Sequence, residues 1–170
     1  MKEIIRVYRQ KVPAMRLIGK RYEGEAGFAR WGDFFENGWF DQIEAAMGGE
    51  QRIKELWEDG GGYVGVEFRK EGKLLKYWIG MFAPPGTAVP AGMESLDFGE
   101  GCLGVCWNYG KEDEVHDVAG HEEALSRAGM ELWKDAQGAV IRFENGLCPR
   151  FTTPDGQGNV ILDWCYFVRL

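Results

Sequence analysis

The chain has 170 residues, 45% hydrophobic and 14% aromatic, enough apolar material for one self-supporting domain. Its 20 Lys and Arg against 27 Asp and Glu give a formal charge of −7. The basic residues are scattered, so direct nucleic-acid binding, which needs a clustered surface to release phosphate counterions, is not expected. The opening MKEIIRVYRQKVPAM carries a charge every few positions, and no later run reaches the roughly 18–20 apolar residues of a membrane span. A cytoplasmic protein without membrane contact is expected. Cys102, Cys106, Cys148 and Cys165 lie in apolar company without a CxxC pair, which reads as reduced thiols in or near the core.

Alternating apolar and polar residues predict a first strand from about Ile4, continuing past Pro13 through Met15, Leu17 and Ile18 to Tyr22. From Phe28 to Met47 the residues Phe28, Trp31, Phe35, Trp39, Ile43 and Met47 recur every three or four positions. They draw one stripe along a helix that Gly38 kinks or divides. A short amphipathic piece, Arg52 to Trp57, runs into three glycines, Gly60 to Gly62. Tyr63 to Arg69 and Leu74 to Phe82 then read as two strands joined by the turn EGK. The proline-rich APPGTAVP, Ala83 to Pro90, can join neither a helix nor a central strand and reads as a connector. Beyond it the order restarts: a strand-rich stretch from Met93 to Gly110, a helical face from Glu112 to Met130, and strands at Ala139–Glu144 and Val160–Val168.

ELWEDGGG at Glu55 returns as ELWKDAQG at Glu131, YEGE at Tyr22 as YGKE at Tyr109, and YWIGMF at Tyr77 as DWCYFV at Asp163, which sets Trp78 opposite Trp164. Three echoes in one order indicate an internal duplication. The expectation is an α+β fold of two strand-helix-strand-strand units, residues 1–83 and 91–170 with connector 84–90. A pseudo-two-fold would relate them in an antiparallel-rich sheet with helices on one face and a ligand groove between the repeats.

GEGCLG, Gly99 to Gly104, matches the dinucleotide fingerprint by letter, but VCW follows it as a strand where the fingerprint needs a helix. His116 and His121, five apart, do not share a helical face, HEEAL lacks the second histidine of a zinc helix, and no GxSxG occurs. No metal and no cofactor are expected. Aromatics and carboxylates on strands remain. Trp164 and Tyr166 project to one face of the last strand and Asp163 and Cys165 to the other, while Arg142 and Glu144 share a face of the strand before. Glu144 over a pocket walled by Trp and Tyr would stack and charge-pair a flat cation. The competing reading makes the tryptophans sheet packing and Glu144 a solvated hairpin residue. Glu67 lies in the corresponding strand of the first half, one residue out of step.

KVPAMRLIGKRYEG, VPAGMESLDFGEGCLGVCWNYG and IRFENG with VILDWCYFV resemble the GyrI-like small-molecule-binding domains, the effector-binding domain of multidrug-responsive regulators, over nearly the whole chain. The resemblance implies two repeats around a pseudo-two-fold and a groove for lipophilic cations and drug-like molecules. It also implies an acidic pocket residue at Glu144. Those regulators carry a helix-turn-helix ahead of this domain, and here the first strand begins the chain, so a stand-alone member is expected. The loop GLCPRFTTPDGQG, Gly146 to Gly158, departs from the acidic, proline-rich loop of the family. Three functions follow from the resemblance. The first is a module that senses or sequesters a small lipophilic or cationic ligand through Glu144, Glu67, Trp164, Tyr166, Trp107, Tyr109 and Trp78. The second is a hydrolase of strained, cyclopropane-type toxins using Glu144 with Tyr166 or Tyr109. The third is a protein partner of gyrase or of a separate DNA-binding regulator.

Overall fold

The computed structural model describes residues 1–170, residue 50 by its backbone alone. In chain order the elements are β1 (Glu3–Val12), β2 (Met15–Glu23), a 3-10 turn (Gly24–Ala29), α1 (Trp31–Glu36), α2 (Trp39–Met47), α3 (Glu50–Ile53), β3 (Val64–Lys70) and β4 (Lys73–Ala83). The second half supplies β5 (Glu94–Phe98), β6 (Gly101–Gly110), α4 (His121–Arg127), β7 (Val140–Asn145) and β8 (Val160–Val168). Among the described residues no helix is long and apolar enough to cross a membrane.

The strands form one antiparallel sheet in the order β1-β6-β8-β7-β3-β4-β2-β5. Exchanging β1–β4 with β5–β8 reverses this order onto itself, which is the arrangement of a duplication about a two-fold between β3 and β7. The first half opens with two strands, β1 and β2, where the sequence predicts one long strand, and the strand-rich stretch that opens the second half likewise divides into β5 and β6. Pro13 has no N–H to give a ladder, and the chain turns there, sending β1 to the far half and β2 to its own.

That exchange dictates the sheet's shape. β1 and β2 stand six places apart, about 29 Å in a flat sheet at ~4.8 Å per strand. The link from Val12 to Met15 spans at most about 11 Å. The sheet therefore curls, and Val12, Met15 and Leu17 pack in one cluster with Val66, Phe68, Trp78, Phe82, Leu103, Phe143 and Phe167. On the outer face α1 and α2 bury Phe34, Phe40, Ile43 and Met47 against Ile18, Ile79 and Met81. There too Leu125 of α4 and Val115 pack on Cys106, Leu162, Trp164 and Tyr166. Helices thus cover one face only.

Gly38 divides the helical stripe as expected, at φ 65° just before α2. The β3–β4 hairpin turns on Glu71 and Gly72, both at positive φ (51° and 79°), the geometry a two-residue loop requires. The helix expected over 112–130 shrinks to α4. The Asn108 amide donates to the carbonyls of Val115 and Asp117, each at 2.8 Å, oxygens that a helix there would need. Cys102, Cys106 and Cys165 are buried, whereas Cys148 is exposed beside Pro149, because its segment is a surface loop and not core.

Gly19 and Gly80 pair directly on the inner face. A Cβ on Gly19 would lie 2.0 Å from the Ile79 carbonyl oxygen, and one on Gly80 would lie 2.0 Å from that of Ile18, so the strands pinch together where no side chain intervenes. Gly19→Ala should cost about 1–3 kcal/mol as an overpacking change, lowering the melting temperature by roughly 2–4 °C per kcal/mol. Thermal unfolding followed by circular dichroism measures this, and an unchanged melting temperature would show that the pinch is not rigid.

Candidate functional site

Along β3 the residues alternate strictly: Val64, Val66 and Phe68 enter the inner core, which forces Gly65, Glu67 and Arg69 outward. The ladder sets Gly65 across from Glu144, Glu67 from Arg142 and Arg69 from Val140, and opposed residues share a face. Among the described residues no helix packs across this central seam. The result is a cleft of about 410 Å³, floored by Gly65, Glu67, Arg69, Arg142 and Glu144. Phe28, Trp31 and Tyr77 wall it from the first half, and His116, Val118 and Trp164 from the second. A second hollow of about 340 Å³ shares Trp31, His116 and Glu144 with it and extends over Phe35, Tyr63 and Phe151.

The Glu67 side chain is 7% exposed and takes hydrogen bonds from two guanidiniums: Arg69 Nε at 2.7 Å, and Arg142 Nε and Nη2 at 3.2 and 3.4 Å. Glu144, 25% exposed, is bonded through Oε2 to His116 Nδ1 at 2.8 Å. That bond raises the His116 pKa above 6.5, against the opposing effect of its burial. The Tyr77 phenol accepts a hydrogen bond from Trp31 Nε1 at 2.9 Å. It fills the space of the missing Gly65 side chain, since a Cβ there would lie 2.0 Å from the hydroxyl. Tyr77 thus reaches the seam across from Glu144. Burial and then the Glu144 charge push its pKa up, so at neutral pH it is a proton donor.

Three of the sequence candidates, Glu144, Glu67 and Trp164, line the cleft together. The other four do not. Tyr166 is 1% exposed, and its hydroxyl bonds to His121 Nδ1 at 2.8 Å. Asn108 gives its NH2 group to two carbonyls, so its Oδ1, 2.8 Å from His121 Nε2, must accept. His121 therefore carries its proton on Nε2, and Tyr166 donates to Nδ1. Trp78 lies in the inner core with Val66 and Phe82. Trp107 shares that face, with the guanidiniums of Arg6 and Arg150 4.7 and 4.6 Å from its ring, and Tyr109 bonds to Asp155 on the same side of β6. The Trp78–Trp164 correspondence thus sets residues on opposite faces of the sheet: matching by letter put the halves one residue out of register, and one residue reverses the face.

The cleft groups that the sequence reading missed are Tyr77, Trp31, Phe28, Arg69, Arg142 and His116. The signal was the outward row Gly65, Glu67, Arg69, with a glycine marking a close approach.

No protein-family model and no curated protein sequence matches the chain. Solved structures do. SAV2435 bound to tetraphenylphosphonium aligns with a TM-score of 0.61 and 14% identity over 97% of this chain and 94% of that one. The chain has the GyrI-like fold. A hydrolase from Listeria innocua aligns at a TM-score of 0.54 and 13% identity, over 96% of this chain and 91% of that one. EcmrR, in a complex with DNA, aligns at 0.58 and 9% identity over 96% of this chain but only 57% of its own length. At these identities the likeness is one of architecture.

Beneath the cleft, burial lowers the His121 pKa from 6.5 to about 3. Between those values the unfolded chain binds a proton that the folded chain refuses, so stability falls as pH falls. His116 acts oppositely: its raised pKa makes a contribution that is complete below 6.5 and fades as pH rises through the folded value. His116 is half-exposed and screened, so His121 dominates in acid. The melting temperature should drop from pH 6.5 downward, and His121→Gln should flatten that slope even if it lowers the plateau; an unchanged slope would remove His121 as its cause.

Proposed function

We propose that the chain binds drug-sized aromatic molecules in the cleft between its repeats, sensing or sequestering them, with Glu144 offered to a cationic or polarised group. The observation that carries this is the convergence of carboxylates with the rings of Trp31 and Phe28, and with the largely buried Trp164 behind them, at a seam that no helix covers among the described residues. A small cluster of polar groups within an apolar concavity is the usual form of a ligand site. The shared architecture with a protein bound to tetraphenylphosphonium supports the reading. Glu144→Ala should weaken binding of N-methylacridinium by about 10- to 100-fold, the loss of one charge-assisted contact, and leave neutral acridine nearly unaffected. Quenching of tryptophan fluorescence reports both. Equal losses for the two would leave the cleft and remove the charge pairing.

A second reading has its own support, the Tyr77 hydroxyl against Gly65 across from Glu144. In a hydrolase of strained electrophiles such as cyclopropane-type toxins, Glu144 would take a proton from water and Tyr77, not Tyr166 or Tyr109, would donate one to the departing group. Product should then exceed one equivalent of protein, and Glu144→Gln should abolish turnover while binding survives. A ligand recovered intact after long incubation excludes this reading for that ligand.

A further inference from the structure

The charges around the cleft do not make it an anionic site. Two carboxylates, Glu67 and Glu144, face two guanidiniums, Arg69 and Arg142, and one imidazole, His116. They are also sorted in space. Glu67 is shared by Arg69 and Arg142, so this triad keeps one net positive charge at its end of the seam. Glu144 holds a negative charge at the other end, across from the bare Gly65. The Arg142 side chain is 15% exposed, uses Nε and Nη2 on Glu67 and also meets the Tyr166 hydroxyl beside it, so what it offers a ligand is the surplus positive charge of the triad. Its guanidinium lies 5.6 Å from the Trp164 ring. Arg142 and Glu144 stand two residues apart on one face of β7, a separation of roughly 6.5–7 Å.

We infer that the cleft selects an aromatic zwitterion, with the cationic group of the ligand on Glu144, its carboxylate on Arg142 and Arg69, and its ring against Trp31 and Trp164. A simple cation gains Glu144 but approaches the positive triad, and a simple acid gains the triad but approaches Glu144. Only a ligand with both charges, set about one benzene ring apart, satisfies both ends without meeting a like charge. Specificity of this kind comes from repulsion of wrong ligands as much as from attraction of the right one. His116 is the internal competitor for Glu144. Protonated, it serves as that carboxylate's counter-ion, so the cationic group binds best in mildly alkaline buffer, where the imidazole is neutral.

This inference rests on the cleft being the ligand site. The test is calorimetric titration of the unmodified protein with four para-substituted probes: 4-(aminomethyl)benzoate, the cation 4-(aminomethyl)benzamide, the anion 4-methylbenzoate and neutral 4-methylbenzamide. The zwitterion should bind about tenfold or more tighter than any of the other three, the gain from one further charge-assisted contact. Arg142→Gln should bring it down to the affinity of the cation, and Glu144→Gln down to that of the anion. The four-probe comparison needs no variant, so it stands even if Arg142→Gln folds poorly. A cation that binds as tightly as the zwitterion overturns the inference. If the acridine pair binds and the zwitterion has no advantage, the dipolar cleft falls and the binding site remains; if neither series binds, both fall.

Discussion

Six residue pairs between β3 and β7, from Val64 with Asn145 to Arg69 with Val140, fix everything else in the cleft. They hold the two halves together at the centre of the sheet, and their register decides which side chains reach the outer face. Sliding β7 by one residue would bury Arg142 and Glu144 and expose Ile141 and Phe143. Asn145 helps to prevent this. It is 1% exposed, its amide donates to the Asp59 carbonyl at 2.9 Å, and a side chain on Gly62 would come within 2.2 Å of its oxygen. The end of β7 is thereby tied to the loop that leads into β3.

The sheet carries a charged triad on each face. Outside, Glu67 lies between Arg69 and Arg142. Inside, Arg150 lies between Asp59 and Asp163, at 3.0 and 2.7 Å, with the ring of Trp107 alongside. The net charges are opposite in sign. Buried ion pairs add little stability over well-packed apolar replacements, yet removing one partner alone costs about 3–5 kcal/mol. The inner triad ties the β7–β8 loop to the segment before β3, whereas the outer one opens onto the cleft, where its surplus charge can meet a ligand.

Much of the architecture was legible because it depends on pattern. The repeat, the β3–β4 hairpin turn and the break at Gly38 follow from periodicity and from glycine's backbone freedom, and both are local. Face assignment is not local. The echoing tryptophans Trp78 and Trp164 invite alignment by letter, while the sheet is aligned by parity, and the two differ by one residue. Tyr166 and Trp78 resemble pocket walls in sequence because aromatic residues on strands look alike whether they face helices, core or solvent. Glu144 was legible through its strand and the family resemblance. Its partner His116 was not, because the pair is 28 residues apart and joined only by the fold. Tyr77 belongs to the cleft because Gly65 yields its side-chain space to the hydroxyl, a relation between two strands that neither strand shows alone.

The exchange of the opening strands also bears on how the chain is made. Val12 pairs with Gly101 and Glu3 with Tyr109, so β1 leaves the ribosome roughly ninety residues before its partner, some 5–20 s at about 5–20 residues per second. During that interval it is an unpaired edge in a half-finished sheet. Its charges, Glu3, Arg6, Arg9 and Lys11, all exposed or half-exposed, suit such a wait, since charged residues along an open strand discourage pairing with other nascent chains. Neither repeat can complete its own sheet, because each must borrow an edge strand from the other. The exchange of edge strands that curls the sheet around its core also makes the pairing of each half depend on the other.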